Sequence, residues 1–355
     1  MRPAARIPDP VSRTPPPAAR TPDPRACATL PHRPMSEKTP GAPLHAPEPS
    51  PLQRVLGACH VTGVFWYRFH HWGMSILPDR GVHVVILLFT SFFFVFLFKI
   101  RRAIARNLEA VLGPCGFVER QRRIWRTMWT FAWCLSERYQ RLATDRAFEF
   151  RVENMEWWHQ VADSGDGFVM LSAHVGNYEV GSMLPATEER RRVHLVRERE
   201  ANPEAQRFVE HLLDGMPEAE HYSWHFEDDQ PMQGVPLLAA LRRGEIVAMH
   251  GDRPRTGARM VETELFGRPF PLPAGPFTLA RAAEAPILPA FVLREGRRRY
   301  RLVFREPFRV ARTGDRNADV ATAAARMAGD VQWAIRAEPH QWFCFRDVWP
   351  GRRSR

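Results

Sequence analysis

The chain is 355 residues long and 45% hydrophobic, enough for a substantial core in one large domain or two small ones. Its net charge of +11 calls for an anionic partner: a membrane surface, an acidic protein or substrate, or nucleic acid. No zinc-finger spacing, helix-turn-helix or RNA-binding signature accompanies the basic residues, which argues against nucleic acid. The five cysteines are odd in number and never spaced C-x-x-C, which argues against a disulfide framework and a structural zinc site.

Residues 1–50 are rich in Pro, Ala and Arg and poor in aliphatic side chains, a composition that predicts disorder. Nothing before Met35 resembles an element, so Met35 is an alternative start. No apolar core follows the basic residues closely, as a secretory signal requires. Residues 51–98 read as a membrane-associated anchor. Phe65-Trp-Tyr-Arg-Phe-His-His-Trp72 has the aromatic, amphipathic character of a membrane interface. The run 81–98 carries no Asp, Glu, Lys or Arg. As a helix it reaches about 27 Å, against a hydrocarbon core of roughly 30 Å. A buried core helix is the competing reading, and six phenylalanines with no polar face weigh against it. The basic flank Lys99-Ile-Arg-Arg102 puts the C-terminal side in the cytoplasm.

Residues 99–147 read as two basic helices. The first, from Arg101, stops at Gly113-Pro114. The second carries Ile124, Met128, Phe131 and Leu135 at helical spacing, behind Arg120, Arg122, Arg123 and Arg126. Two placements stay open: helices lying on lipid with arginines meeting phosphate, or ordinary helices packed on a core.

From 148 to 350 strand-like and helix-like runs alternate. The strands are expected at 148–152, 168–173, 193–196, 246–250, 287–293 and 300–304. The helices are expected at 157–162, 178–184, 205–213, 235–242, 277–283 and 319–337. This pattern predicts an α/β domain, a mixed sheet flanked by helices. Active sites in such sheets collect beyond the carboxyl ends of the strands.

Two motifs fall there. The apolar run 167–173 ends on His174, a turn with Gly176 and Asn177 follows, and Glu179 comes five residues after the histidine. A neutral imidazole steered by a carboxylate can take a proton from a hydroxyl. Acids follow histidines at this spacing by chance too, as Glu37 follows His32, so the strand-turn-helix context carries the weight. The competing reading is a buried structural histidine capping the turn. G-x-S-x-G is absent, so Ser172 is not marked as a nucleophile. The second motif is Gly251-Asp-Arg-Pro-Arg255, where Arg253 and Arg255 could clamp phosphate beside Asp252. A solvated surface turn is the alternative. Arg197 follows a further strand and invites the same pair of readings. His221-Tyr-Ser-Trp-His225 has helical histidine spacing but no third ligand at motif spacing, so it reads as a polar loop and no metal site is expected.

Together these pieces resemble the late (lauroyl/myristoyl) acyltransferases of lipid A biosynthesis, within the bacterial lysophospholipid acyltransferase superfamily. The matching features stand in order: the hydrophobic N-terminal segment, Ile104-Ala-Arg-Asn-Leu-Glu109, Ser136-Glu-Arg138, His174-Val-Gly-Asn-Tyr-Glu179, Arg197, Asn202-Pro203, Gly251-Asp-Arg-Pro-Arg255, Leu265-Phe-Gly267, Ala285-Pro-Ile-Leu-Pro289 and Glu338-Pro-His-Gln-Trp-Phe343. The resemblance covers roughly 55–350. It implies a glycerolipid acyltransferase-like fold and transfer of an acyl chain from acyl carrier protein, or acyl-CoA, to a hydroxyl of a membrane glycolipid, with no cofactor. His174 would be the base and Glu179 its partner. Asn177, Arg197 and Asp252 would line the substrate site, and Arg253 and Arg255 would touch phosphate or pantetheine. The basic surface suits an acidic carrier protein and anionic lipid at the cytoplasmic face of the inner membrane. Alternatives are another lipid acceptor (a lysophospholipid, an amino-acid lipid or a phosphoinositide mannoside) or a non-catalytic lipid or carrier-protein binder. The Pro-rich start and the polar segment 218–230 depart from the family pattern.

Overall fold

A computed structural model describes residues 68–349 apart from 70, 74–75, 144–146, 182–190, 201, 216–218, 227–233 and 254–257. The described residues fall in one compact unit. Three helices open it: α1 (Asp79–Phe96), α2 (Phe98–Leu112) and α3 (Phe117–Ala143). The apolar run does not continue as one helix through Phe98. Leu97 leaves helical geometry at φ −91° and ψ 63°, so α1 closes on Phe96 and α2 restarts at Phe98.

Helix α1 is long and apolar enough to cross a membrane by length and composition. It buries one stripe, Val82, Ile86 and Thr90, at four-residue spacing. That stripe packs with Trp133 and Tyr139 of α3. Phe93 and Phe94 pack against α2 and α3, while Val84, Leu87, Leu88, Phe92, Val95 and Phe96 are exposed. The two basic helices pack on each other. Ile104 and Leu108 of α2 pack with Ile124 and Met128 of α3 in a core cluster, while Arg102, Arg106, Arg120 and Arg122 face outward.

The following chain builds a seven-stranded sheet. Its strands are β1 (Glu149–Glu153), β2 (Phe168–Ser172), β3 (Val193–Arg197), β4 (Tyr222–Phe226), β5 (Ile246–His250), β10 (Ile287–Gly296) and β11 (Arg299–Phe304). Their order is β1-β11-β10-β2-β5-β3-β4. Only β10 and β11 pair antiparallel, so the mixed sheet expected from the alternation is what forms. Four two-residue strands, β6 (Met260–Val261), β7 (Glu264–Leu265), β8 (Arg268–Pro269) and β9 (Leu272–Pro273), make two small ladders beside it.

The central strands read as unbroken apolar runs because helices cover both faces. On one face α7 (Gly234–Arg242), α8 (Gly275–Ala283) and α9 (Arg316–Ala337) bury Leu241, Phe277 and Val331 with Val169, Leu171 and Val247 of the sheet. On the other, α4 (Met155–Ala162) sets Trp158 against Phe168, Met170 and Phe304. Between these elements lie α5 (Tyr178–Gly181) and α6 (Pro203–Asp214), the latter capped by Asn202, whose side chain accepts from two backbone N–H groups. Residues 182–184 of the expected helix at 178–184 lie outside the described residues.

One segment is corrected by the structure. Residues 222–226 form edge strand β4 instead of a polar loop. Tyr222 reaches the core, and an edge strand leaves its other side chains half in solvent, which hides the strand from a pattern search. His225 contacts Nδ1 of His194 at 2.8 Å, across the β3–β4 pair.

Candidate functional site

Strands β2 and β5 lie side by side and parallel, with Ser172 opposite His250. Two residues further on each chain come His174 and Asp252, so the ladder brings imidazole and carboxylate to the same mouth. The ladder bond from Gly251 N–H to the Ser172 carbonyl, 2.9 Å, holds the two exits together. Asp252 accepts twice from one residue: from the His174 ring at Nδ1 over 2.6 Å and from the His174 backbone N–H over 3.0 Å. Asp252 is 3% exposed. Burial pushes its carboxyl up, but His174 and then Arg253 outweigh that and hold it near about 2. An ionised acceptor on Nδ1 leaves the proton there and the lone pair on Nε2. Nε2 has no hydrogen-bond partner among the described residues. The ring is one proton-accepting nitrogen, fixed in orientation.

The turn after His174 is strapped from two sides. Gly176 donates to the Gln341 carbonyl (2.9 Å), Asn177 N–H to the Val292 carbonyl (2.8 Å), and Phe343 N–H to the His174 carbonyl (3.1 Å). Gly176 sits at φ +70°, and a Cβ there would meet the Val292 carbonyl oxygen at 2.0 Å. Only glycine satisfies both conditions. Gln341 in turn clamps Arg294 of β10, accepting from its N–H and donating to its carbonyl, each at 2.8 Å. The C-terminal segment 338–343 is therefore a brace for the His174 turn.

The acid that steers His174 is not the one the spacing suggested. Glu179, expected as the imidazole's partner, holds two arginines: Arg138 of α3 at 3.1 Å and Arg197 at the end of β3 at 2.9 Å. The physical reason is topological. A turn of five residues carries Glu179 onto α5, which faces α3, whereas β5 delivers Asp252 directly beside the ring. Burial pushes the Glu179 carboxyl up, but Arg138 and Arg197, then His250 and His174, overcome it and hold it near about 2. Two guanidiniums share this one carboxylate. Arg138 Nη2 and Arg197 Nη1 are buried without hydrogen-bond partners among the described residues.

Asn177 is a second correction. Read as a substrate contact, it is 2% exposed, and its amide donates to the Cys134 carbonyl (3.2 Å) and Tyr300 Oη (2.8 Å). It ties the turn to α3 and β11. Arg253 lies beside Asp252 and donates to the Phe343 carbonyl over 3.3 Å. Arg255 lies outside the described residues.

Two site residues had weaker signals. Tyr178 and His250 frame His174, with ring centroids 4.5 and 4.9 Å from it and 4.8 Å from each other. Burial, then the neighbouring His174, drives the His250 ring down to about 3, so it stays neutral. Its place at the end of a strand was the available clue. Glu137 of α3 is buried and accepts from both guanidinium arms of Arg294 (2.9 and 3.1 Å), from Arg298 N–H and from the Tyr300 hydroxyl. Ser136-Glu-Arg138 thus faces two ways, Glu137 into the sheet and Arg138 toward Glu179. Nothing in the local spacing distinguishes this from an ordinary amphipathic helix.

The family described as bacterial lipid A biosynthesis acyltransferase matches residues 53–350. Comparison with curated protein sequences returns no significant match. Among solved structures, the 1-acyl-sn-glycerophosphate (LPA) acyltransferase, PlsC, from Thermotoga maritima is 11% identical, over 81% of this chain and 97% of that chain, with a TM-score of 0.32. The family match spans the first helices, the His174 turn, the Asp252 strand exit and the C-terminal brace alike, and the chain belongs to the bacterial lipid A biosynthesis acyltransferase family.

Proposed function

We propose that this acyltransferase moves a fatty acyl chain from a thioester, on acyl carrier protein or coenzyme A, to a hydroxyl of a membrane glycolipid resembling a lipid A precursor. The observation that carries the reading is the 2.6 Å contact between His174 Nδ1 and Asp252, which commits Nε2 to accepting a proton. In this step the acceptor hydroxyl gives its proton to Nε2 as its oxygen attacks the thioester carbonyl. Collapse of the tetrahedral intermediate breaks the C–S bond, and the imidazolium returns the proton to the leaving thiolate. The unpartnered guanidinium nitrogens of Arg138 and Arg197 are donors suited to the negative charge on the carbonyl oxygen. Glu179 acts by holding those two arginines.

The proposal includes a setting: the inner membrane, with the catalytic face toward the cytoplasm, where an acidic carrier protein would meet the basic surface. The exposed apolar face of α1 and the basic start of α2 support that placement. The proposed step uses no metal or cofactor. The test is incubation of the purified chain with acyl carrier and coenzyme A thioesters and a membrane lipid extract, followed by mass spectrometry. A glycolipid gaining one acyl chain supports the reading. Hydrolysis of thioester with no acylated lipid, across extracts of differing lipid content, refutes it.

A further inference from the structure

Away from His174, a cavity of about 470 Å³ opens between α2 and α3. Four arginines line it, Arg101, Arg102, Arg106 and Arg120, against one carboxylate, Glu109. Arg106 is neutralised by Asp347. Arg102 and Arg120 are exposed and have no ion-pair partner among the described residues. Arg101 donates to Gln121 over 2.6 Å, lies over the Phe94 ring at 4.3 Å, and keeps a buried Nε without a partner. The charge left in the cavity is positive, and no side chain in the described chain balances it.

The position of the cavity says what would. Phe98, on its lip, is 67% exposed and continues the outward apolar surface of Phe92, Val95 and Phe96. Arg101 comes five residues after the last residue of α1, in the first turn of α2 just past the break at Leu97. The headgroup layer on one side of a bilayer is about 5–7 Å thick. If the exposed face of α1 sits in hydrocarbon, the arginines stand in that layer. A concave pocket with an aromatic lip fits a headgroup whose acyl chains run alongside α1.

We infer that this cavity binds the phosphodiester headgroup of an anionic membrane phospholipid, at a site separate from the acyl-transfer centre. The inference rests on the membrane placement proposed above and not on its chemistry. A lipid held there docks the chain at a fixed depth, with α2 as the anchor. Through Asn107, whose amide donates to the Cys344 and Arg346 carbonyls (3.0 and 2.8 Å), the same helix holds the chain just beyond Phe343, which itself bonds His174.

The full chain, purified in a neutral detergent, is titrated in mixed micelles with phosphatidylglycerol, phosphatidylcholine or inorganic phosphate, and bound species are counted by native mass spectrometry. Phosphatidylglycerol is retained at least tenfold better than phosphatidylcholine. Each arginine at an anionic surface contributes about fivefold, so Arg102→Gln with Arg120→Gln weakens retention about 30-fold. Both side chains are exposed, so the unfolding temperature of the double variant stays with wild type. His174→Ala binds phosphatidylglycerol as wild type does, which separates failure here from failure of the proposed reaction. Equal retention of the two lipids overturns the inference, as does an unaffected double variant. Inorganic phosphate binding as tightly as phosphatidylglycerol assigns a soluble anion instead. Loss of acyl carrier protein capture by the double variant, with lipid retention intact, makes an acidic protein the occupant.

Discussion

Asp252→Asn changes one oxygen to an amide and nearly no volume, yet it should cost most of the activity. Asp252 accepts two hydrogen bonds from His174, on the ring at 2.6 Å and on the backbone at 3.0 Å. Asparagine has one acceptor to offer. If its oxygen keeps the ring, its NH₂ faces the backbone N–H, two donors head to head in a buried site. If its oxygen keeps the backbone, its NH₂ donates to Nδ1 and drives the ring proton onto Nε2. Nε2 then cannot accept a proton, and the base is lost. The comparable change in a serine protease triad lowers kcat by about 10⁴, and general-base catalysis overall contributes about 10²–10⁴. A loss of kcat within about 10²–10⁴ is therefore expected, with KM little changed, measured as acyl transfer from a radiolabelled thioester. Because Asp252 works through His174, the double variant with His174→Ala should be no slower than His174→Ala alone. Asp252→Asn within threefold of wild type, with Glu179→Gln at the level of His174→Ala, would instead make Glu179 the steering acid.

Three further outcomes follow from the same contacts. Arg138→Met strips one of two cations from a partly buried carboxylate that keeps Arg197; leaving a buried charge with no partner costs about 3–5 kcal/mol, so the loss here should be smaller, and at about 2–4 °C per kcal/mol the unfolding temperature should drop by several degrees. An unchanged melting curve would contradict it. His250 is held near about 3, below its ordinary 6.5, so between those values the unfolded chain binds a proton that the folded chain refuses. Stability is then complete above pH 6.5 and falls with acid, by about 2 kcal/mol at pH 5. Denaturant midpoints at pH 7 and 5 should show the fall, and His250→Phe should lessen it, leaving the share of His340, which burial and then Arg126 and Arg123 hold at about 4; the paired carboxyls Asp252 and Glu179, both at about 2, add their own loss as pH falls below about 5. Gly176→Ala should fail to fold or lose activity entirely, since its Cβ would lie 2.0 Å from a carbonyl oxygen at φ +70°. Soluble, active protein would show that the turn can move.

The strands were legible because a parallel sheet covered on both faces needs long apolar runs, and 168–173, 246–250 and 287–293 supply them. The location of the site was legible for the same reason: two such runs ended on chemistry, His174 and Asp252. The pairing was not. Spacing along the chain favoured Glu179, but neighbours in a parallel sheet are set by strand order, and β2 beside β5 is a fact of packing that no local pattern carries. The arginine clamp on Glu179 was hidden likewise, since Arg138 comes from a helix 41 residues upstream and had no mark beyond its family motif. The family resemblance put Asn177 at the substrate site; here the turn is braced from behind, and the amide satisfies the core.

In the proposed reaction Nε2 of His174 takes the acceptor's proton. The most direct test is single-turnover transfer of a labelled acyl chain from a carrier thioester to glycolipid by wild type and His174→Ala, with folding checked by circular dichroism. A folded variant slower on the order of 10³-fold is expected. A folded variant that transfers the chain at the wild-type rate contradicts it.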